Sequence, residues 1–423
     1  MAFFRLLKGL GRGPPSSPTE VFVLAALIFA ATYAVIALGR LPGLRLDRSG
    51  AALVGASLMV ASGVLSPDEA YRAIDLDTIA LLLGMMIVVA NLRFAGFFHL
   101  AAAWIARHAR HPLALLLGIT FVSGGLSAFL VNDTVCLMLT PLVAELTLQL
   151  RRNPVPYLLA LAMASNIGST ATITGNPQNI MIGSFSHIAY GDFARVLAPV
   201  AAAGLAVLVA LVALAWRREF FTRARLEAPV PRLRWNRVLL AKALLATLGM
   251  VLFFFLGQPP AKVAIVAGSL LLLTRRIKPE RIYREIDWSL LLLFAGLFIV
   301  VAGMEKALLG PEVLAYAERL DLGSPAVMAL VAAPLSNLVS NVPAVLVLKP
   351  FVDSLAAPRL AWLSLAMAAT LAGNFTILGS VANLIVVQRA ARHGIAISFW
   401  TYFKLGAPVT VVTIAIGVWM LGR

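Results

Sequence analysis

Apolar residues in this chain form long, nearly unbroken runs, separated by short clusters of Arg, Pro, Gly and Asp. A bilayer core about 30 Å thick takes about 20 such residues in one helix. On that ruler, membrane-spanning helices are predicted near 20–38, 50–65, 76–97, 157–190 and 195–216. A second set is predicted near 238–256, 261–275, 287–307, 361–388 and 400–421. The segments 113–149 and 325–355 read differently. Each holds two short apolar arms around a polar centre, with Asn132-Asp133-Thr134 in the first and Ser340-Asn341-Val342-Pro343 in the second. Arms too short to cross are predicted to enter and leave on one side as re-entrant hairpins. Such backbone survives at membrane depth only when buried in protein or lining a cavity.

The two halves resemble each other. The segment 127–143 aligns with 336–352, pairing Ser127 with Ser336, Asn132 with Asn341 and Pro141 with Pro350. The segment 159–179 aligns with 363–383, where nine of 21 positions are identical, including Thr172/Thr376, Gly175/Gly379 and Asn179/Asn383. Five spans per half is an odd number, so the second half is expected upside down relative to the first. The predicted fold class is therefore an all-α polytopic membrane protein with two inverted repeats, each carrying one re-entrant hairpin and one broken helix. The expected organisation is an N-terminal tail (1–19), a first repeat (20–216), a basic cytoplasmic linker (217–237) and a second repeat (238–423). In it the hairpins take 113–149 and 325–355, and the broken helices 157–190 and 361–388. Inverted repeats with matched Gly/Pro interruptions point to a secondary transporter whose site lies at the midplane.

Composition agrees and removes alternatives. The chain is 61% apolar and 13% charged, against about 45–50% and about 25% in soluble domains. A net charge of +16 would suggest nucleic acid in a soluble protein, but here it marks orientation. With 217–237 inside, 22 of the 35 basic residues fall on the cytoplasmic side, as the positive-inside rule asks. That places the protein in the cytoplasmic membrane, touching lipid headgroups and no nucleic acid. The N-terminus has too short an apolar run for a signal peptide, so the first long apolar stretch is expected to stay as a helix. One cysteine, Cys136, excludes a disulfide or thiolate metal site within the chain. Phosphate-loop, GxSxG and HExxH motifs are lacking. No cofactor, metal or enzymatic activity is expected.

The candidate chemistry lies in four interruptions. Two are the hairpin tips, Asn132-Asp133-Thr134 and Ser340-Asn341-Val342-Pro343. Two lie midway along apolar spans: Gly175-Asn176-Pro177-Gln178-Asn179 and Gly379-Ser380-Val381-Ala382-Asn383. Gly and Pro break a helix and leave orphan N–H groups at one half-helix end and orphan carbonyls at the other. N–H ends attract an anion or a polar neutral solute, and carbonyl ends a cation. The candidate binding residues are Asn132, Asp133, Thr134, Gly175, Asn176, Pro177, Asn179, Ser340, Asn341, Val342, Pro343, Gly379, Ser380 and Asn383. Capping of broken helices is the plainer reading of each alone; recurrence at matched places favours a site. Asp133 is an acid within an apolar segment, opposite Val342 in the repeat, and intramembrane acids are costly and usually functional. It is the candidate for proton coupling. Lys349 is either its charge partner, a partner for an anionic solute, or a lysine that snorkels to the surface. Cys136, one turn from Asp133, reads as packing.

These motifs, together with SNIGSTATITGNPQNIMIGS and LAGNFTILGSVANLIV, resemble the ion-transporter superfamily. The resemblance is nearest the arsenical-pump and general anion-permease branch and covers nearly the whole chain. It implies a scaffold domain that dimerises, a transport domain holding hairpins and broken helices, and elevator-type alternating access. Sodium-coupled dicarboxylate symporters of that superfamily carry Ser-Asn-Thr at the tips, from which both tips here depart. Arsenite-type pumps show Asn-Asp and Asn-x-Pro, as here, although Gly-Asn-Pro-Gln-Asn is not typical of them. The resemblance implies export of arsenite or antimonite driven by protons, and allows an ATPase partner. The alternatives are a permease for another inorganic or carboxylate anion and a sodium/proton antiporter.

Overall fold

The computed structural model describes residues 18–39, 46–223, 225–226, 235–274, 276–308 and 321–423. Most of the expected tail, part of the basic linker, and Arg40, Arg45, Arg232, Arg234 and Arg275 lie outside them. Among the described residues every regular element is helical. The first half runs α1 (Pro18–Leu38), α2 (Arg48–Ala61), the short α3 (Pro67–Ala73), α4 (Leu76–Ala95) and α5 (Phe97–His108). A hairpin of α6 (Pro112–Phe129) and α7 (Asn132–Gln149) follows, then a broken helix of α8 (Pro154–Ser169) and α9 (Pro177–Ser186), and α10 (Tyr190–Ala215). After the four-residue α11 (Arg217–Phe220), the order repeats: α12 (Arg237–Phe255), α13 (Pro260–Leu272), the short α14 (Pro279–Tyr283) and α15 (Trp288–Leu308). The second hairpin is α16 (Pro325–Val339) and α17 (Asn341–Asp353), the second broken helix α18 (Pro358–Ala372) and α19 (Val381–Arg392), and the last helix α20 (Phe399–Leu421).

Local sequence sets these boundaries. Proline at the first helical position, where no N–H partner is needed, opens α6, α8, α9, α16 and α18. Asp47 caps α2 by accepting from Gly50 N at 2.8 Å. Ser66 and Glu69 form a capping box on α3. Glu69 is further tied to Lys306 of α15 at 2.7 Å, and that hydrogen bond with the Ser66 backbone holds its carboxyl down to about 2.

Seven helices among the described residues have the length and composition to cross a membrane: α1, α4, α6, α10, α12, α15 and α20. Four lengths differ from expectation. The spans expected near 50–65 and 261–275 are helices of 14 and 13 residues, about 20 Å at the helical rise. Gly63, at φ +76, turns the chain just beyond α2, and α13 starts at Pro260 as expected but ends at Leu272, short of 275. Conversely α6 and α7, both expected to be short arms, run 18 residues each, while the arms of the second hairpin have 15 and 13. The amphipathic α5, with Arg107 and His108 in its last turn, was not among the expected elements.

The halves interlock. Helix α4 packs on α13 of the other half, and α15 packs on α2. The same close contact serves both pairs. A Cβ on Gly84 would stand 2.4 Å from the Ala264 carbonyl carbon, and one on Gly296 would stand 2.7 Å from that of Ala52. Small residues let helix backbones approach this closely, which is how apolar helices gain contact energy without a hydrophobic drive. The hairpins cross over too: α7 packs on α19, and α17 touches α9. All four helix breaks and tips therefore meet in the middle of the molecule.

Candidate functional site between the hairpin tips and the helix breaks

Each helix break is held open by one asparagine. Asn179 donates from Nδ2 to the Ser169 and Thr172 carbonyls, both at 3.1 Å. Asn383 does the same to Gly373 at 2.7 Å and Thr376 at 3.0 Å. These are the carbonyls that a broken helix leaves without partners. Asn176 caps α9 by accepting from Asn179 N at 2.8 Å, and Ser380 caps α19 by accepting from Ala382 N at 3.2 Å.

Two aligned residues reach across the repeat. Asn166 of α8 donates to Asn374 Oδ1 at 2.9 Å and Asn383 Oδ1 at 3.0 Å. Its own Oδ1 accepts from Asn132 and Ser380, both at 3.0 Å. Its counterpart Thr370 of α18 accepts from Asn176 Nδ2 at 3.2 Å and Gln178 Nε2 at 3.3 Å. Asn166 was not among the sequence candidates, although a buried amide in the apolar run LALAMASNIG was a visible signal. In the tips, Ser165 donates to the Asn132 carbonyl at 3.1 Å, and Ser336 donates to Asn341 Oδ1 at 2.5 Å.

Between these elements lies a cavity of about 70 Å³. Its walls include Asn132 and Asp133 from the first tip, Ser340, Asn341, Val342 and Pro343 from the second, Pro177 and Gln178 from the first break, and Ser380 and Val381 from the second. Ile36, Arg48, Leu290 and Leu293 complete it. Asn132, Pro177, Asn341 and Val381 are the first residues of α7, α9, α17 and α19. Four helix N-termini thus converge on one small space and make it attractive to oxygen atoms. The Asn132 Oδ1 is buried and has no hydrogen-bond partner, an unusual state for a buried acceptor.

Asp133 also borders a second cavity of about 140 Å³, together with Thr134, Arg93, Glu285 and Asp287. Arg93 and Glu285 form an ion pair there. Asp287 caps α15 by accepting from Leu290 N at 3.0 Å.

The structure thus brings Asn132, Asp133, Pro177, Ser340, Asn341, Val342, Pro343 and Ser380 together around the small cavity, with Thr134 on the larger one alone. Gly175, Asn176, Asn179, Gly379 and Asn383 line neither; they build the breaks behind its walls. Lys349 lies elsewhere. Its ammonium is 3.2 Å from Glu305, 3.1 Å from Asp353 and over the Phe185 ring, so it is neither paired with Asp133 nor free to snorkel. Cys136 is fully buried. Arg48 and Gln178 are lining residues that the candidate set did not contain.

The sequence profile of the citrate transporter family matches residues 33–372. An uncharacterised transporter of Mycobacterium bovis is 32% identical over 421 residues, covering 93% of this chain and 96% of its own. The silicon efflux transporter LSI3 of Oryza sativa subsp. japonica is 30% identical, with 95% and 98% covered. In fold, the chain is similar to the solved structure of MtrF from Neisseria gonorrhoeae, reported under the heading of antimetabolite efflux pumps. The TM-score is 0.64 at 12% identity, over 99% of this chain and 97% of that one.

Proposed function

Because the chain belongs to the citrate transporter family, we propose that it is a secondary active transporter that exports a small hydroxylated solute of the arsenite or antimonite kind. The driving force is the proton gradient across the cytoplasmic membrane, with Asp133 as the coupling acid. The observation that carries this reading is the convergence of four helix N-termini and one carboxyl on a cavity of about 70 Å³. A water needs about 10–15 Å³ of such space, so the cavity accommodates about five water-sized groups. As(OH)3, neutral at pH 7, suits that size, whereas a tricarboxylate is several times larger. The rice relative is named for efflux of silicon, another element that travels as a small neutral hydroxide. With one cysteine in the chain, recognition runs through hydrogen bonds and not three thiolates.

The two interlocked halves support an inverted repeat. Helices α1, α2 and α15 pack on one another, which supports a scaffold against which a transport domain carrying the tips and breaks moves. Inward proton flux then exchanges for outward solute as Asp133 is exposed alternately to each side. Uptake of arsenite into inverted membrane vesicles tests this. Accumulation that collapses with an uncoupler is expected; citrate accumulation with no arsenite uptake would overturn it. A second reading, sodium/proton antiport, is favoured by Asp287 and Glu285 beside Asp133 in the larger cavity. Sodium-dependent dissipation of a proton gradient in the same vesicles, without arsenite, would select it.

A further inference from the structure

Arg48 opens α2 and, among the described residues, is the only cation on the wall of the small cavity. Helix α2 packs against α1 and α15, and no other polar lining residue comes from it. Counted by loops, Arg48 is one more cytoplasmic orientation charge; folded, it is half-buried and faces the site.

Among the described residues no carboxylate pairs with Arg48. Other part-buried cations differ. Arg93 has Glu285, Arg152 has Glu219, and Lys349 has Glu305 and Asp353. The Arg48 head lies alongside Gly39, with Nε and Nη2 at 3.9 and 4.0 Å from where a Cβ would stand. An uncompensated guanidinium is costly to take out of water unless something accepts its hydrogen bonds, and its planar fork suits paired oxygens. Within the same cavity stand Asp133 and Asn132, the latter with an unpaired Oδ1. Donors and acceptors therefore share one small space without satisfying each other.

We propose that Arg48 is a specificity-determining residue, donating guanidinium N–H groups to an oxygen of the transported solute while Asp133 and Asn132 accept its hydroxyl hydrogens. The ligand class is a small oxyacid carrying at least one hydroxyl, neutral or singly charged. The idea rests on the transport reading above and narrows its solute. Arg48 sits on a different packing unit from the tips, so it engages the solute in the conformation described here.

The test uses the purified full chain in phosphatidylcholine nanodiscs, with thermal stabilisation by arsenite, silicic acid, phosphate and citrate as readout. It is paired with half-saturating arsenite in inverted vesicles. Arg48→Gln should keep the ligand-free melting temperature and raise half-saturation about tenfold or more, as loss of a charge-assisted hydrogen bond implies. Arg48→Lys should recover only part, because it keeps charge without the fork. Unchanged half-saturation in both variants would overturn the proposal and leave arsenite export standing. Equal function of Lys and Arg, with an Arg48→Gln defect confined to discs containing anionic lipid, would also overturn it by assigning Arg48 to a headgroup. Stabilisation by phosphate alone, lost in Arg48→Gln, would sink the arsenite reading while supporting the role of Arg48, whereas stabilisation by citrate alone would overturn both.

Discussion

Asn179 and Asn383 do the same work in the two halves, each tying off two stranded carbonyls. Their surroundings differ. From Ala171 to Ile182 every residue is buried, and Thr174 is fixed to the Tyr190 hydroxyl at 2.8 Å. In the second break the counterpart of Thr174 is Leu378, which is 66% exposed. The tips differ in the same sense. The first carries the acid, on ordinary backbone; the second carries Ser340 at φ +78, ψ 159, a region essentially reserved for glycine. One pattern of polar pins thus makes a sealed, rigid half that holds the charge and a looser half under local strain. Sequence similarity between the halves points to the candidate site, and the differences between them distinguish its walls.

The largest expected effect tests the placement of charge. Asp133→Asn should abolish proton-coupled accumulation in vesicles, and adding Val342→Asp to it should not restore transport; rescue would mean the two tips are interchangeable. The next tests the seals. A Cβ on Gly175 would lie 2.1 Å from the Ser169 carbonyl oxygen, whereas one on Gly379 would first meet the Asn337 side-chain oxygen at 2.7 Å. Gly175→Ala should therefore cost about 3 kcal/mol and Gly379→Ala about 1 kcal/mol, within the usual range for overpacking. Thermal unfolding in detergent reads both, and equal losses would contradict the contrast. The smallest tests the strain. Ser340→Gly should stabilise by about 1 kcal/mol, while Val131→Gly, at a tip position with φ −46, should not.

The hairpins and breaks were legible because Gly, Pro, Asn and Asp stand out in an apolar run, and a polar group there has few reasons to exist. At the two interruptions Pro177 opens α9 and Ser380 caps α19. Helix lengths were less legible. Hydropathy does not mark where Gly63 ends α2, nor separate the 18-residue α6 from a shorter arm. The pairing of α4 with α13 was hidden because Gly84 and Ala264 are ordinary small residues until their backbones meet. Arg48 and Lys349 were misjudged for one reason. Charge counting treats a basic residue as a loop marker or a lone cation, but Arg48 faces inward and Lys349 has carboxylates on α15 and on its own helix. Asp353, four residues on, was within reach of helical spacing, whereas Glu305 on α15 leaves no local trace.

The crossed contacts also bear on how the chain is made. Helix α4 ends at Ala95 and its partner α13 begins at Pro260. At a synthesis rate of about 5–20 residues per second, α4 waits roughly ten to thirty seconds for its glycine face to be covered. The wait of α2 for α15 is longer still. The second half meets partners already in the bilayer, whereas the first must be tended by lipid or an insertion factor until they emerge. A change that exposes Gly84 or Ala52 would accordingly lower the yield of inserted protein before it altered the finished transporter.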